Sequence, residues 1–154
     1  MSNGLRLIRY QADGGTAIGV EEAGTVHPVP GYESMRQLVT DVADGLDLRS
    51  ARRSSRRLAL SDLRVCAPID DPGKVIAIGL NYREHVGEGN FDVPTAPLIF
   101  AKFPSSIIGP GDVIEWDAAY TSAVDLEAEL AVIVGKRGRN VPEASAMEYV
   151  FGYT

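Results

Sequence analysis

Hydrophobic and polar positions alternate along residues 125–135, and we take this segment as the strand around which the chain is organised. Successive side chains of a β-strand point to opposite faces, so Asp125, Glu127 and Glu129 fall on one face. The opposite face is apolar, from Leu126 to Val134. The pattern therefore predicts a half-polar strand with two glutamates that point the same way.

The paired glutamates need a compensating partner if the strand is buried. Their Cα atoms would lie about 6.7 Å apart, from two rises of roughly 3.3 Å. Two buried carboxylates would repel by about 4 kcal/mol at a separation near 4 Å and an effective dielectric constant near 20. Basic side chains, protonation of one acid, or a divalent cation bound through carboxylate oxygens would each offset this. Spacing alone favours basic residues on a neighbouring strand.

The first part of the chain reads as a small α+β unit. Alternation on both sides of the Asp13–Gly15 turn predicts a β-hairpin, and residues 26–29 add a third strand. Residues 34–45 predict a helix, which Ser34 caps and Gly45 ends. Turn-forming residues at 70–73 predict a boundary between a domain at 1–70 and a second part at 71–154.

Further strands are predicted in the second part. The apolar run at 74–79 is typical of a fully buried strand, and residues 98–103 and 113–116 predict two more. Lys102 interrupts the run at 98–103, and the Glu127/Glu129 face is its expected partner. Pro142 predicts the start of a helix that ends at Gly152.

A short helix is predicted between residues 80 and 88, and it carries a histidine and a glutamate. His85 and Glu88 are three positions apart and share a helix face. A carboxylate beside an imidazole raises its basicity, as a water-activating base requires. From spacing alone, an ordinary surface helix is favoured. Gly87, Gly89 and Asn90 predict a mobile segment, as an active-site lid would be.

Composition and charge exclude several classes of protein. The chain has 154 residues, 45% hydrophobic and 23% charged, which is typical of a soluble globular protein without a membrane partner. Its single cysteine, Cys66, excludes an intrachain disulfide and fits a reducing cytoplasm. The net charge of −6 lies within residues 71–154, so a nucleic-acid partner is not expected. The arginine-rich run at 49–57 is interpreted as a solvated connector, with an anion site as the alternative.

Five sequence blocks occur in an order that resembles one family. They are Val75–His85, Pro97–Lys102, Gly109–Asp112, Asp125–Lys136 and Gly152–Thr154. Over residues 74–154 the chain resembles the fumarylacetoacetate hydrolase family. The resemblance implies an α+β protein, with a small N-terminal domain followed by part of a β-rich roll, a mixed β-sandwich.

The resemblance also implies a site. Glu127 and Glu129 match paired ligands of a divalent cation, Mg²⁺ or alternatively Mn²⁺ or Ca²⁺. His85 and Glu88 match a lid dyad that activates water, and Lys102 matches a lysine near the metal. The substrates of the family are 2-oxo or 2,4-dioxo acids, often from aromatic catabolism, and its members are commonly homodimers.

The function expected from this resemblance is metal-dependent hydrolysis of C–C bonds in 2,4-dioxo acids. The alternatives are an isomerase of the 2-hydroxyhepta-2,4-diene-1,7-dioate type, a decarboxylase, or a non-catalytic fragment or binding module. In the family a third metal ligand follows the Gly152–Thr154 block. We therefore expect a catalytic domain truncated on its C-terminal side, inactive alone, whose partner is the remaining C-terminal part of the same domain.

Overall fold

A computed structural model describes residues 4–49, 56–89 and 91–154. The chain is α+β, as predicted. It divides into two compact units, one formed by Met1–Ile69 with Ile108–Thr154 and the other by Asp70–Ile107. The division into domains at residue 70 stays a prediction. Throughout the described ranges, no helix has the length and apolarity needed to cross a membrane.

The first unit contains a five-stranded antiparallel sheet in the order β4-β3-β2-β1-β5. Tyr10 pairs with Ala17 in the predicted hairpin, and Gly14 turns the chain with φ of 82°. Glycine adopts this left-handed conformation without steric cost. The strands are β1 (Arg6–Ala12), β2 (Gly15–Glu22), β3 (Thr25–Pro28), β4 (Leu58–Ala59) and β5 (Val65–Cys66).

The predicted helix forms as α1 (Met35–Ala43) and packs against this sheet. The Ser34 side chain accepts a hydrogen bond from the Gln37 main-chain N–H at 3.2 Å, which confirms Ser34 as the N-cap. Leu38 is fully buried on the inner face of the helix, as is Val20 on β2. The core of this unit therefore lies between α1 and the sheet.

One carboxylate is buried at the edge of this core. Glu21 lies near the end of β2, and its side chain is only 2% exposed. Its Oε1 accepts a hydrogen bond from the Gly24 N–H at 2.8 Å, and its Oε2 lies 2.8 Å from Nη1 of Arg6. Glu21 thus closes the turn between β2 and β3 and pairs across to β1.

The second unit is a two-stranded sheet with one helix between its strands. Strand β6 (Val75–Gly79) pairs antiparallel with β7 (Leu98–Lys102), and α2 (Arg83–Glu88) lies between them in the chain. The strands and the helix were predicted, but the expected full burial of β6 is wrong, because Ile76 is 61% exposed. An isolated pair of strands has too few neighbours to cover its side chains.

The predicted strand at 125–135 forms over three residues. Strand β8 (Val132–Val134) pairs antiparallel with β9 (Val150–Tyr153), and residues 125–131 are not assigned to a strand. A strand needs a hydrogen-bonded neighbour, and β9 supplies one only to the end of the segment. The prediction for 125–131 is therefore wrong.

Two further predictions in this region need correction. Residues 113–116 do not form a strand, and they are exposed. The segment after Pro142 does form a helix, but as a 3₁₀ helix at Glu143–Tyr149. Gly152 lies within β9 and does not end that helix.

The basic run at 49–57 falls mostly outside the described residues, which resume at Arg56.

Candidate functional site

Helix α2 carries His85 and Glu88, the two residues predicted as an acid–base pair. Val86 is 5% exposed and anchors the helix, whereas His85 and Glu88 are exposed. Residues three positions apart lie on the same side of a helix. The structure therefore presents both side chains on the same solvent-facing side of α2. Asn90, part of the predicted lid, lies outside the described residues.

The backbone between β6 and α2 adopts an uncommon conformation. Leu80 has φ of 52°, in the left-handed region. A non-glycine residue there costs on the order of 1–3 kcal/mol, and such residues cluster at functional sites. Leu80 follows β6 and turns the chain toward α2, so its conformation sets the direction of the chain between the strand and the helix.

Glu127 and Glu129 lie in the irregular segment before β8, and both are exposed. Their carboxylate oxygens are the donors that hard divalent cations prefer. Within the ranges that the structure describes, however, no group of three or more His, Cys, Asp or Glu side chains lies close enough to hold a metal ion. The donor type fits the expected cation, but the number of donors does not make a complete site.

Lys102 lies at the end of β7, and its environment differs from the expected one. The strand is exposed along its whole length, so Lys102 is not a buried lysine that requires an acid. Its Nζ lies 5.5 Å from the centre of the Phe100 ring. A cation–π contact at an exposed position contributes about 0.5–1 kcal/mol. Its pairing with Glu127 or Glu129 stays a prediction.

Asp112, the last residue of the Gly109–Asp112 sequence block, closes a turn. Its Oδ2 accepts a hydrogen bond from the Gly109 N–H at 2.8 Å, and its Oδ1 lies 3.1 Å from Nη2 of Arg64. The Gly109 hydrogen bond, followed by that from Arg64, lowers the pKa of the Asp112 carboxyl from its ordinary value of 3.8. The role of Asp112 is therefore structural, and it ties the turn to the end of the first sheet.

The structure adds a cavity that the sequence did not predict. It lies within the second unit, measures about 320 Å³ and is bordered by the end of β6, by α2 and by residues 93–97. Arg83 is the only charged residue that lines it, among the residues described. No local sequence signal in residues 93–97 indicated that they form the wall of a cavity.

Comparison with known proteins assigns the chain to a family. The model for the fumarylacetoacetate (FAA) hydrolase C-terminal region matches residues 74–154, more than half of the chain. An oxaloacetate tautomerase from Xenopus laevis is 37% identical over 161 residues, covering 97% of this chain and 50% of the relative. The chain therefore belongs to the fumarylacetoacetate hydrolase family, and it spans about half the length of such curated relatives.

Other relatives support the same assignment. The oxaloacetate tautomerase YisK of Bacillus subtilis is 41% identical over 99 residues, covering 62% of this chain and 33% of the relative. A fumarylacetoacetate hydrolase structure from Exiguobacterium antarcticum matches with a TM-score of 0.79 and 35% identity, covering 97% of this chain and 54% of that one. A maleylpyruvate hydrolase from Sphingobium sp., solved with manganese(II) and pyruvate, matches with a TM-score of 0.74 and 28% identity. The match covers 96% of this chain and 56% of that one.

Proposed function

We propose that the chain supplies one part of an enzyme that interconverts the enol and keto forms of a short 2-oxo dicarboxylic acid of the oxaloacetate type. The observation that carries this proposal is the similarity to oxaloacetate tautomerases over nearly the whole chain. The acids named for other relatives, maleylpyruvate and 2-hydroxyhepta-2,4-diene-1,7-dioate, also carry two carboxylates. A 2-oxo acid with a second carboxylate is thus the substrate class.

The proton transfers fall to helix α2. His85 would take a proton from C3 of the keto acid, and the C–H electron pair would form the C2–C3 double bond. The oxygen on C2 then becomes an enolate oxygen, and a proton returned to it gives the enol. Glu88, on the same side of α2, would orient the His85 ring and stabilise its protonated form.

Charge develops on the enolate oxygen and needs stabilisation. Lys102 is the candidate cation among the side chains considered, since it is exposed at the end of β7. A divalent cation, which Glu127 and Glu129 would help to hold, supplies Lewis acid polarisation of the 2-oxo group when bound. The homodimeric state and the cytoplasmic location remain parts of the proposal.

A hydrolase of 2,4-dioxo acids is the second candidate. The similarity to a maleylpyruvate hydrolase favours it, and the same pair on α2 would serve it. In that reaction His85 would take a proton from water, and the water oxygen would attack the carbonyl remote from the 2-oxo acid end. The C–C bond then breaks to release a carboxylic acid and the enolate of pyruvate, which is protonated.

One experiment distinguishes these reactions. The complete gene product that contains these residues is mixed with enol oxaloacetate and, separately, with an acylpyruvate, each with Mg²⁺ and with Mn²⁺. Loss of the enol absorbance faster than in buffer, with no pyruvate released from the acylpyruvate, supports the tautomerase. Pyruvate release from the acylpyruvate without faster ketonisation would replace it with the hydrolase. If neither activity is detected, the result would favour a binding module.

A further inference from the structure

The Lys102 side chain folds back over an aromatic ring of its own strand. Phe100 and Lys102 are two positions apart on β7, so both side chains project from the same face of the two-stranded sheet. Nζ of Lys102 lies over the Phe100 ring, 5.5 Å from its centre. This distance is within the roughly 6 Å over which the face of an aromatic ring attracts a cation. The ring thus favours one direction for a long side chain on an exposed strand.

The Phe100 ring is itself held by the neighbouring strand. On the same face of the sheet, Ala77 of β6 lies opposite Phe100, and Gly79 lies opposite Leu98. A Cβ placed on Gly79 would lie 3.4 Å from Cε1 of Phe100 and 2.9 Å from Cδ2 of Leu98. The two side chains therefore occupy the space that Gly79 leaves, and the Phe100 ring packs beside the backbone of β6.

The contact with the ring turns Lys102 toward the end of the sheet from which α2 leaves. Lys102 is paired with Val75, the first residue of β6, whereas α2 follows the last residue, Gly79. These two levels of the sheet are about 13 Å apart, at roughly 3.3 Å per residue. Phe100 lies two residues nearer the α2 end than Lys102 does. A lysine that folds over the Phe100 ring therefore directs its ammonium group toward that end.

We propose that Phe100 is a positioning residue, whose ring holds the Lys102 ammonium in the direction of the charge that develops on the enolate oxygen. Phe100 acts through Lys102 and not on the substrate. A lysine side chain loses conformational entropy when it is fixed, and a contact made before the substrate binds removes part of that loss from the reaction. The inference rests on the proposed function for the role of Lys102, and it adds the residue that orients it.

Fluorinated phenylalanines test this contact with little change in the shape of the ring. Mono-, di- and trifluorophenylalanine each replace Phe100 in the complete gene product, and every fluorine weakens the attraction of the ring face for a cation. We expect kcat for ketonisation of enol oxaloacetate to fall stepwise, by about two- to fivefold in all, as loss of a cation–π contact at an exposed position requires. The dissociation constant for oxalate should stay unchanged.

Three controls separate the contact from simple packing. The same fluorinated residues in place of Phe103, which is 78% exposed, should leave kcat unchanged. In Lys102→Met, fluorination of Phe100 should have no further effect, because the pair no longer exists. Phe100→Leu should lower kcat at least as much as trifluorophenylalanine does, and Phe100→Tyr, which keeps the ring, should recover it.

A second measurement records the contact without turnover. Lysines that carry isotope-labelled methyl groups keep their charge, and methyl groups above a ring face give upfield-shifted nuclear magnetic resonance signals. The Lys102 signal, identified by its loss in Lys102→Met, should be shifted upfield in the wild type. Phe100→Leu should remove this shift, and Phe103→Leu should leave it in place.

The outcomes that overturn the inference differ from those that overturn the function. A Lys102 signal without the upfield shift, or a kcat that fluorination of Phe100 does not lower, would refute the positioning role while the proposed function stands. An effect of fluorination that persists in Lys102→Met would show that Phe100 acts by packing alone, and would refute it equally. A wild type that does not accelerate ketonisation would overturn the proposed function, and this inference with it.

Discussion

Ala131 and Thr154 exchange two main-chain hydrogen bonds, with the Ala131 N–H donating at 2.9 Å and the Thr154 N–H at 3.0 Å. This reciprocal pair is the last that the structure shows along the β8–β9 ladder. The residues just before it are strongly exposed, with Leu130 at 63% and Leu126 at 82%. The apolar side of the glutamate segment is therefore left without cover by the described residues.

These exposed leucine side chains predict self-association of the 154-residue polypeptide. Exposed apolar side chains that lie close together favour burial against another copy of the chain. Sedimentation velocity at increasing concentration should show oligomers, and Leu126→Lys together with Leu130→Lys should reduce them. Ser122→Lys adds a charge in the same exposed stretch and should have little effect. A polypeptide that stays monomeric at all concentrations would contradict this prediction.

The acid–base role of His85 predicts a separation of turnover from binding. His85→Ala in the complete gene product should lower kcat by about 10²–10⁴-fold, the usual contribution of a general base. The dissociation constant for oxalate should change little, because oxalate is expected to bind through the cation. Glu84→Gln, on the same helix, serves as the control for surface changes. A near-normal kcat in His85→Ala would show that another group moves the proton.

The buried carboxylate of Glu21 predicts a clear effect on stability. Glu21→Ala should lower the free energy of unfolding by about 1–3 kcal/mol, because it removes the acceptor of the Gly24 N–H and the partner of Arg6. Glu33→Ala, at an exposed position, should stay within about 0.5 kcal/mol. Urea unfolding followed by circular dichroism measures both, and equal effects would refute a structural role for Glu21.

The lowered pKa of the Asp112 carboxyl predicts a dependence of stability on pH. The unfolded carboxyl has a pKa near 3.8, and the Gly109 and Arg64 contacts lower it in the folded state. The unfolded state therefore takes up the proton first on acidification, so the stabilisation from Asp112 is present above the unfolded pKa and is lost as the pH falls through the folded pKa.

The matching variant is Asp112→Asn. It should be less stable than the wild type near pH 6, and the difference between them should shrink as the pH falls below about 4. Urea unfolding of both proteins across this range provides the measurement. A difference that stays constant, or that grows on acidification, would contradict the assigned hydrogen bonds.

Local signals predicted the elements that local interactions stabilise. Ser34 caps α1, and Gly14 supplies the left-handed turn of the first hairpin. The start of the helix and the position of the hairpin turn were therefore predicted correctly. Each of these signals lies within a few residues of the contact it makes. The order of sequence blocks likewise predicted the family, because it depends on residue identity and spacing alone.

The failures concern features that depend on distant residues. Residues 125–131 alternate as a strand does, but β pairing needs a second segment, and the pairing seen along β8 and β9 stops at Ala131 and Thr154. The cavity beside Arg83 was missed for the same reason, since its wall at 93–97 comes from a separate part of the second unit. The roles of Glu127 and Glu129 stay predictions because ligands converge only in a complete site.

The central claim is that Glu127 and Glu129 hold the cation on which the proposed reaction depends. The most direct measurement is a titration of the complete gene product with Mn²⁺, in which the electron paramagnetic resonance signal reports the concentration of the free ion. Glu127→Gln and Glu129→Gln should each weaken binding at least about tenfold, since each removes one carboxylate ligand. Glu115→Gln, at an exposed position of the same unit, should leave it unchanged. If Glu127→Gln and Glu129→Gln both bind Mn²⁺ with the affinity of the wild type, the assignment of these two glutamates as ligands of the cation is contradicted.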